Sequence, residues 1–336
     1  MNHTTQLQKQ HIGKLNILVT GGAGFIGSHL VDALVQRGHE VTVIDLISDR
    51  NRKNLNPKAR NVNADLTHAD TMSLVEGISP DIIFHFAGNA NVAKSVAEPI
   101  FDMEINYVAT ARLLDVAAKS GVRRFVFAGT GGGLSSEYTT LPTPENAISK
   151  PLSPYAKHKL ASEELGEFYC LHKGVPFVSL RFANVYGPRQ APNCGETNVI
   201  ATFAHKMARN EPTQVNGNGL QTRDYVYVED VIEACLLVLE DPNVAGPLNV
   251  GSEHELNVAT IHRAMAQYMG YAQKPLKGPA DVGAPMRSCL DISKIRTSLG
   301  WQPKTSIVDG LKRTLDWHRA EVVRERDQEN VRVFAA

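Results

Sequence analysis

Net charge is the first thing this chain does without. Its 35 Lys plus Arg balance 35 Asp plus Glu over 336 residues, so neither a polyanion nor an anionic membrane surface meets a complementary field. A small molecule is the more natural ligand. No apolar run approaches the ~20 residues that a membrane span needs, and Met1 to Gln10 has no apolar core to act as a signal peptide. The expected location is the cytoplasm. Cysteine is scarce: Cys170, Cys194, Cys235 and Cys289 stand far apart with no Cys-x-x-Cys, and they read as free thiols rather than a zinc site or a disulfide framework. The twelve histidines contain no His-Glu-x-x-His pattern, and no metal is expected.

The chain is long enough for one large or two medium domains with a full core. After a polar, aperiodic tail over residues 1–14, Leu15-Asn-Ile-Leu-Val-Thr20 reads as a buried strand. Gly21-Gly-Ala-Gly-Phe-Ile-Gly27 reads as a glycine-rich turn, and Ser28 to Gln36 as the helix behind it. That order is the one a phosphate cradle needs. Gly21 permits the tight turn, Gly24 lets backbone approach a pyrophosphate at the helix N-terminus, and Gly27 allows close helix-on-strand packing. The next strand, Glu40 to Asp45, ends in an acid about 20 positions after Gly24, the offset of a carboxylate on the adenosine ribose. Asp45 would repel a 2′-phosphate, which favours NAD over NADP. Asp65, after a further short strand, is open between an adenine-edge contact and a plain loop aspartate. Asp81 to Gly88 is another buried strand opening into a small-residue turn suited to lie along the cofactor.

Residues Ile100 to Lys119 follow a helical pattern but are apolar on more than one face. A helix flanking a sheet needs one apolar stripe, so the surplus predicts a second burial, against another subunit. Arg124 to Ala128 forms the next strand and runs into Gly129-Thr130-Gly131-Gly132-Gly133, placing a hydroxyl at a strand's C-terminal end, where open α/β sheets bind ligands. A proline-rich loop leads to Ser153-Pro-Tyr-Ala-Lys-His-Lys159. Helical spacing there sets Tyr155 beside Lys159, and a nearby ammonium is expected to pull the phenol's pKa down from about 10 toward working pH, making it a general base. Thr130 is the candidate to share its proton; the lesser alternative for it, taken without the other motifs, is a turn cap.

Alternation of strands and helices to about residue 182 predicts a doubly wound parallel α/β sheet. The composition then shifts, marking a substrate-facing region. Arg223 and Arg287 there are candidates to clamp a diphosphate bidentately. The expected organisation is a flexible tail over 1–14 and a Rossmann-type domain over 15–183 that also takes in 224–250. A smaller mixed α/β substrate-binding domain is made from 184–223 and 251–320, followed by a charged tail over 321–336.

With those residues in place the chain resembles the extended short-chain dehydrogenase/reductase family, specifically its nucleotide-sugar epimerases and dehydratases. The likeness covers about residues 15 to 320. It rests on the glycine turn, Asp45, Asp65-Leu66, Tyr155 with Lys159, Arg181-Phe-Ala-Asn-Val-Tyr-Gly-Pro-Arg189, Arg223-Asp-Tyr-Val-Tyr-Val-Glu-Asp230 and Leu299-Gly-Trp301. The resemblance implies Tyr155 as the base at a sugar hydroxyl, Lys159 as its partner and a ribose ligand, and Thr130 as the assisting hydroxyl. It implies cofactor contacts at Phe25, Ile26, Leu66, Phe86, Ala87, Gly88, Asn106 and Phe182. Substrate contacts would fall at Asn184, Arg189, Arg223 and Arg287. It also implies a homodimer joined by the helices over Ile100 to Lys119 and Ser153 to Lys173.

Within the family, 4,6-dehydratases carry an Asp-Glu pair right after the threonine, because eliminating water needs an extra acid and base. Here Gly131-Gly132 occupy those places, and the glutamate of the decarboxylating relatives is also missing. The pattern is similar to the UDP-glucose 4-epimerase branch. It implies that tightly bound NAD takes hydride from C4 of a nucleotide-sugar, leaving a transient 4-keto sugar, and returns it to the opposite face. One departure concerns the sugar: the family's Tyr-Gly shortly after the threonine is replaced by Gly133-Leu-Ser-Ser136. The rival readings are a nucleotide-sugar reductase or dehydrogenase, an epimerase at another carbon, and a non-catalytic NAD-binding scaffold, which would need no base.

Overall fold

The computed structural model describes residues 13–134, 140–192, 198–279 and 285–335. Cys194, Ser135 and Ser136 lie outside them. Seven short runs rich in Val, Ile and Phe form strands β1 (Asn16–Thr20), β2 (Glu40–Asp45), β3 (Arg60–Asn63), β4 (Ile82–His85), β5 (Arg124–Thr130), β6 (Phe177–Phe182) and β10 (Gly246–Val250). All six pairings between them are parallel, in the order β10-β6-β5-β4-β1-β2-β3. The order reverses between β1 and β4. A crevice therefore opens beyond their C-terminal ends, the place where sheets of this type bind ligands.

Both faces of the sheet are covered, which is why its strands read as continuous apolar runs rather than alternating ones. On one face pack α1 (Phe25–Gln36) and α8 (Val228–Glu240). On the other lie α2 (Ala69–Ile78), α5 (Ala109–Ser120) and α6 (Pro154–Lys173). Between them come α3 (Val92–Ala97) and α4 (Pro99–Met103). The segment read as one helix over Ile100 to Lys119 is α4 and α5 joined by a π turn over Glu104–Val108. The wider turn releases the Asn106 carbonyl to accept from both Thr110 Oγ1 (2.9 Å) and Ser162 Oγ (2.7 Å), the second of these on α6.

Beyond β6 the chain builds a smaller unit. A three-stranded sheet holds β7 (Asn184–Tyr186), β9 (Thr222–Tyr227) and β11 (Glu255–Asn257), and a two-stranded one holds β8 (Gln214–Asn216) and β12 (Leu276–Gly278). Helices α7 (Val199–Ala208), α9 (Val258–Met269), α10 (Ser293–Leu299) and α11 (Ile307–Ala335) complete it. Two boundaries differ from expectation. Segment 224–250 divides: Asp224 to Tyr227 stay in the small sheet with β9, and only from Val228 does the chain rejoin the large one. The stretch 321–335, expected as a charged tail, is the continuation of α11. Leu315, His318 and Val322 are buried on one stripe of that helix, and two of its carboxylates pair with distant residues, Glu321 with Lys53 and Glu325 with Arg209. Among the described residues no helix is long and apolar enough to cross a membrane.

Two buried histidines make the fold acid-sensitive. His85, between Thr20 Oγ1 (2.7 Å) and Thr110 Oγ1 (2.9 Å), and His318, edge-on to Trp317, have their pKa lowered from 6.5 to about 3 by burial. The unfolded chain binds protons on these rings between pH 6.5 and 3 while the folded chain does not. Stability is therefore full above pH 6.5 and falls as pH drops, by up to ~1.4 kcal/mol per unit for each ring. Thermal unfolding of His318→Leu is expected to lose less between pH 6.5 and 4 than the wild type loses; an unchanged acid limb would mean that this ring is not buried neutral.

Candidate active site

The glycine turn follows β1 directly. Gly21 has φ +72°, and a Cβ there would lie 2.5 Å from the Ala87 nitrogen; one at Gly27 would lie 2.2 Å from the Gly21 carbonyl oxygen. Only glycine lets α1 pack this closely against the ends of β1 and β4. Gly24 caps α1 without a side-chain acceptor, and no acidic residue sits in the first turn. The first N–H groups of α1, at Phe25, Ile26 and Gly27, so lack an intrahelical partner at the positive end of the helix dipole. These features fit a pyrophosphate. Asp45, at the end of β2, accepts from Ala23 N–H at 2.8 Å; burial raises its pKa while the N–H bonds of Ala23, Leu46 and Gly24 pull it back. It closes the cradle at the end of β2.

Asp65 forms a local turn, accepting from both the N–H and the hydroxyl of Thr67 at 2.8 Å, which draws its pKa down against the effect of burial, and Leu66 is buried beside it. The open choice at Asp65 thus falls partly to local structure. Past β4, Phe86 packs on Phe182 with ring centroids 5.9 Å apart, and Ala87 N–H reaches Thr20 Oγ1 at 3.3 Å. A Cβ on Gly88 would meet Asn106 Oδ1 at 2.6 Å and Lys159 Nζ at 3.3 Å, so these three converge in one place.

Helix α6 begins with Ser153 accepting from Ala156 N–H and Pro154 in its first turn, a start that fixes the register of Tyr155. Ser95 Oγ accepts from the Tyr155 N–H at 3.1 Å. Thr130 lies near enough to the Tyr155 phenol to favour its ionised form, and Thr130 Oγ1 accepts from Gly133 N–H at 3.2 Å. Lys159, only 6% exposed, donates to the Ala128 carbonyl at 3.0 Å and lies 4.7 Å over the Phe127 ring. Behind the pair, the buried Glu163 ties α6 to β6 through Arg181 (2.5 Å) and Ser179 (2.5 Å). Losing one partner of such a pair costs ~3–5 kcal/mol.

The electrostatics depart from expectation. Burial pushes the Tyr155 phenol up to about 12, offset partly by the nearby Thr130 hydroxyl, with Asp102's charge adding to the rise; burial pulls Lys159 down to about 8, with Asp102 opposing. The adjacent ammonium does not lower the phenol here, because desolvation of a phenolate outweighs it and Lys159 is turned to a backbone carbonyl.

The expected substrate residues separate. Asn184, on β7, faces the glycines after Thr130: a Cβ on Gly132 would lie 3.6 Å from its Oδ1 and 3.3 Å from Ser288 Oγ. Arg223 lies on β9, its Nη1 on the Thr222 carbonyl at 2.8 Å; Arg287 pairs with Glu255 on neighbouring β11 at 2.9 Å. The two share one patch. Arg189 does not join it. Its Nη2 donates to Asp32 of α1 at 2.7 Å while its Nη1 is buried without a partner, because the chain after β7 turns back toward that helix. Sequence reasoning missed Asp102. This fully buried carboxylate takes Asn89 (2.7 Å) and Asn106 (2.9 Å) on one oxygen and His158 (2.7 Å) on the other. The signal was a second polar residue four before Asn106 in an apolar helix. Among the described residues no group of three or more His, Cys, Asp or Glu is placed to hold a metal ion.

Residues 17–251 match the model of the NAD dependent epimerase/dehydratase family. A putative UDP-glucose 4-epimerase of Methanocaldococcus jannaschii is 38% identical over 301 residues, 90% of this chain and 97% of that protein. The UDP-glucose 4-epimerase of Mycolicibacterium smegmatis is 36% identical over 310 residues, 91% of this chain and 99% of its own. Among solved structures, the Thermotoga maritima UDP-glucose 4-epimerase with UDP-glucose superposes with TM-score 0.88 at 39% identity, covering 91% of this chain and 99% of that one. The Thermus thermophilus UDP-glucose 4-epimerase complex with NAD gives 0.85 at 36% identity, covering 90% and 98%.

Difference-spectrum titration of cofactor-stripped protein against Tyr155→Phe is expected to assign no phenolate to Tyr155 below about pH 11. A Tyr155 transition near pH 8 would show that Lys159 alone lowers it.

Proposed function

This chain belongs to the NAD dependent epimerase/dehydratase family, and from that membership and the cleft we propose that it is an NAD-dependent 4-epimerase of nucleotide-sugars, interconverting UDP-glucose and UDP-galactose. The observation that carries the reading is Thr130, at the C-terminal end of β5, set against the Tyr155 phenol, with Lys159, Asn106 and Gly88 converging beside it. When bound, NAD supplies a hydride acceptor that gives the hydride back to the 4-keto sugar. The protein's tasks are the proton, the orientation and the exclusion of water.

Tyr155, acting as the phenolate, takes the proton of the sugar 4-hydroxyl and returns it, and the Thr130 hydroxyl stabilises the phenolate charge before the transfer. Lys159 holds the ribose and offers the nearest positive charge to that oxygen. The turn from Gly21 to Gly27 and the α1 N-terminus hold the pyrophosphate, with Asp45 on the adenosine ribose and Phe86, Ala87 and Gly88 lining the nicotinamide end. Asn184, Arg223 and Arg287 hold the sugar's diphosphate, Arg287 exchanging Glu255 for phosphate oxygens. Gly131 supports this chemistry over dehydration. A Cβ there would lie 2.4 Å from the Leu290 side chain, which would have to shift before an acidic side chain could occupy that position.

The working unit is a homodimer in this reading. Ile100 is 64% and Leu171 79% exposed on α4 and α6, with Phe101 and Phe168 partly exposed on the same helices, an apolar face that a second copy would cover. Light scattering is expected to give twice the chain mass for the wild type and the chain mass for Leu171→Glu; a wild-type monomer contradicts the dimer.

Denatured wild-type protein should release NAD. Tyr155→Phe should keep that NAD while slowing turnover of UDP-galactose, followed by proton NMR without added cofactor, by ~10³-fold. Unimpaired turnover in the variant would remove Tyr155 from the chemistry.

A further inference from the structure

The carboxylate of Asp102 lies in α4, fully buried, with the polar groups of three separate elements turned toward it. A carboxylate only accepts, so both amides present their NH2 groups: Asn89 at 2.7 Å and Asn106 at 2.9 Å. That fixes Asn106 the other way round on its far side. Its Oδ1 accepts from Asn89 N–H at 3.1 Å, and the same oxygen faces Gly88 beside Lys159 Nζ. The turn at 88–91, which lies next to the cofactor-side end of β4, is thus dictated by a side chain of α4. The second Asp102 oxygen takes the Nδ1–H of His158 at 2.7 Å, and His158 directly precedes Lys159 on α6.

We propose that Asp102, clamped by His158, is a positioning residue for the reaction: it sets the turn against which Lys159 lies and supplies the buried negative charge behind the Tyr155–Lys159 pair. The inference rests on the reading of those two residues given above. Asp102 acts through Asn106 and Lys159 and touches neither reactant. The titratable groups around it are His158, Lys159 and Tyr155 from α6, and His85 of β4, kept neutral by burial, faces Lys159. Lys159 is buried and donates to the Ala128 carbonyl, so a negative charge nearby favours its ammonium form. Removing that charge makes Lys159 lose its proton at lower pH, and the alkaline limb of turnover moves down. His158 keeps the carboxylate from turning away; a glutamine at 158 retains an N–H donor, whereas leucine does not.

The test uses the NAD-loaded protein and three variants, Asp102→Asn, His158→Leu and His158→Gln. Asp102→Asn is expected to lower kcat ~10-fold or more with KM within about twofold, and to shift the alkaline limb of kcat down by about half a pH unit or more. It should also release NAD faster on gel filtration. His158→Leu should show the same pattern more weakly, and His158→Gln should recover kcat to within about threefold of wild type. Proton–nitrogen NMR of the imidazoles should show one ring protonated at Nδ1 that vanishes in His158→Gln and shifts in Asp102→Asn. A melting point lowered with an unmoved pH profile, wild-type kinetics in both Asp102→Asn and His158→Leu, or no Nδ1-protonated signal for His158 would each overturn the proposal. The ring signal and NAD release need no turnover. A wild type that does not epimerise therefore sinks the functional reading, while Asp102 is still judged by those two readouts.

Discussion

A lysine ammonium almost cut off from water has to be satisfied by protein groups, and much of this architecture serves that need at Lys159. The residue is 6% exposed, bonded to the Ala128 carbonyl and seated over Phe127, with the charge of Asp102 behind it. An isolated buried cation would discard its proton. Here burial pulls its pKa to about 8, which leaves it largely charged at neutral pH. The phenol beside it is held the other way, at about 12. In the protein alone the pair is an ammonium next to a neutral tyrosine. This state is poised for proton transfer, because positive charge brought into the cleft favours the phenolate.

The sheet sets up that arrangement by topology. Reversal of strand order between β1 and β4 opens the crevice, and β5 and β6 continue it, so that Gly21, Gly88, Thr130 and Phe182 all stand at C-terminal strand ends along one rim. Helix α6 crosses the face beneath them, bound through the buried Glu163–Arg181 pair, and delivers Tyr155 and Lys159 to the rim. The small unit closes the other side with Asn184 and with Arg223 and Arg287. In the proposed function, cofactor and sugar meet at the seam between the two units.

Much of this was legible in the residues. The glycine turn, Asp45, the Tyr155–Lys159 spacing and the buried strands β1, β2, β4, β5 and β6 are local patterns whose geometry follows from the backbone rules for turns, strands and helices. What escaped was set by contacts between distant segments. Arg189 looks like any other arginine in its motif, and only the return of the chain toward α1 gives it to Asp32. The expected lowering of the Tyr155 pKa counted one neighbour and not the solvent removed around it. The charged stretch after residue 320 reads as solvated because its buried stripe is sparse, and its partners Lys53 and Arg209 are far away in sequence. Asp102 matters only because a π turn, a loop and α6 meet over it.

The central claim is that this cleft shuttles one hydride between a sugar carbon and a retained cofactor while Tyr155 handles the proton. The most direct measurement follows UDP-galactose deuterated at C4 through many turnovers in ordinary water. The account predicts UDP-glucose that keeps the deuterium at C4, with no net cofactor consumed. Wash-out of the label into solvent, or release of reduced cofactor with each product, would contradict it.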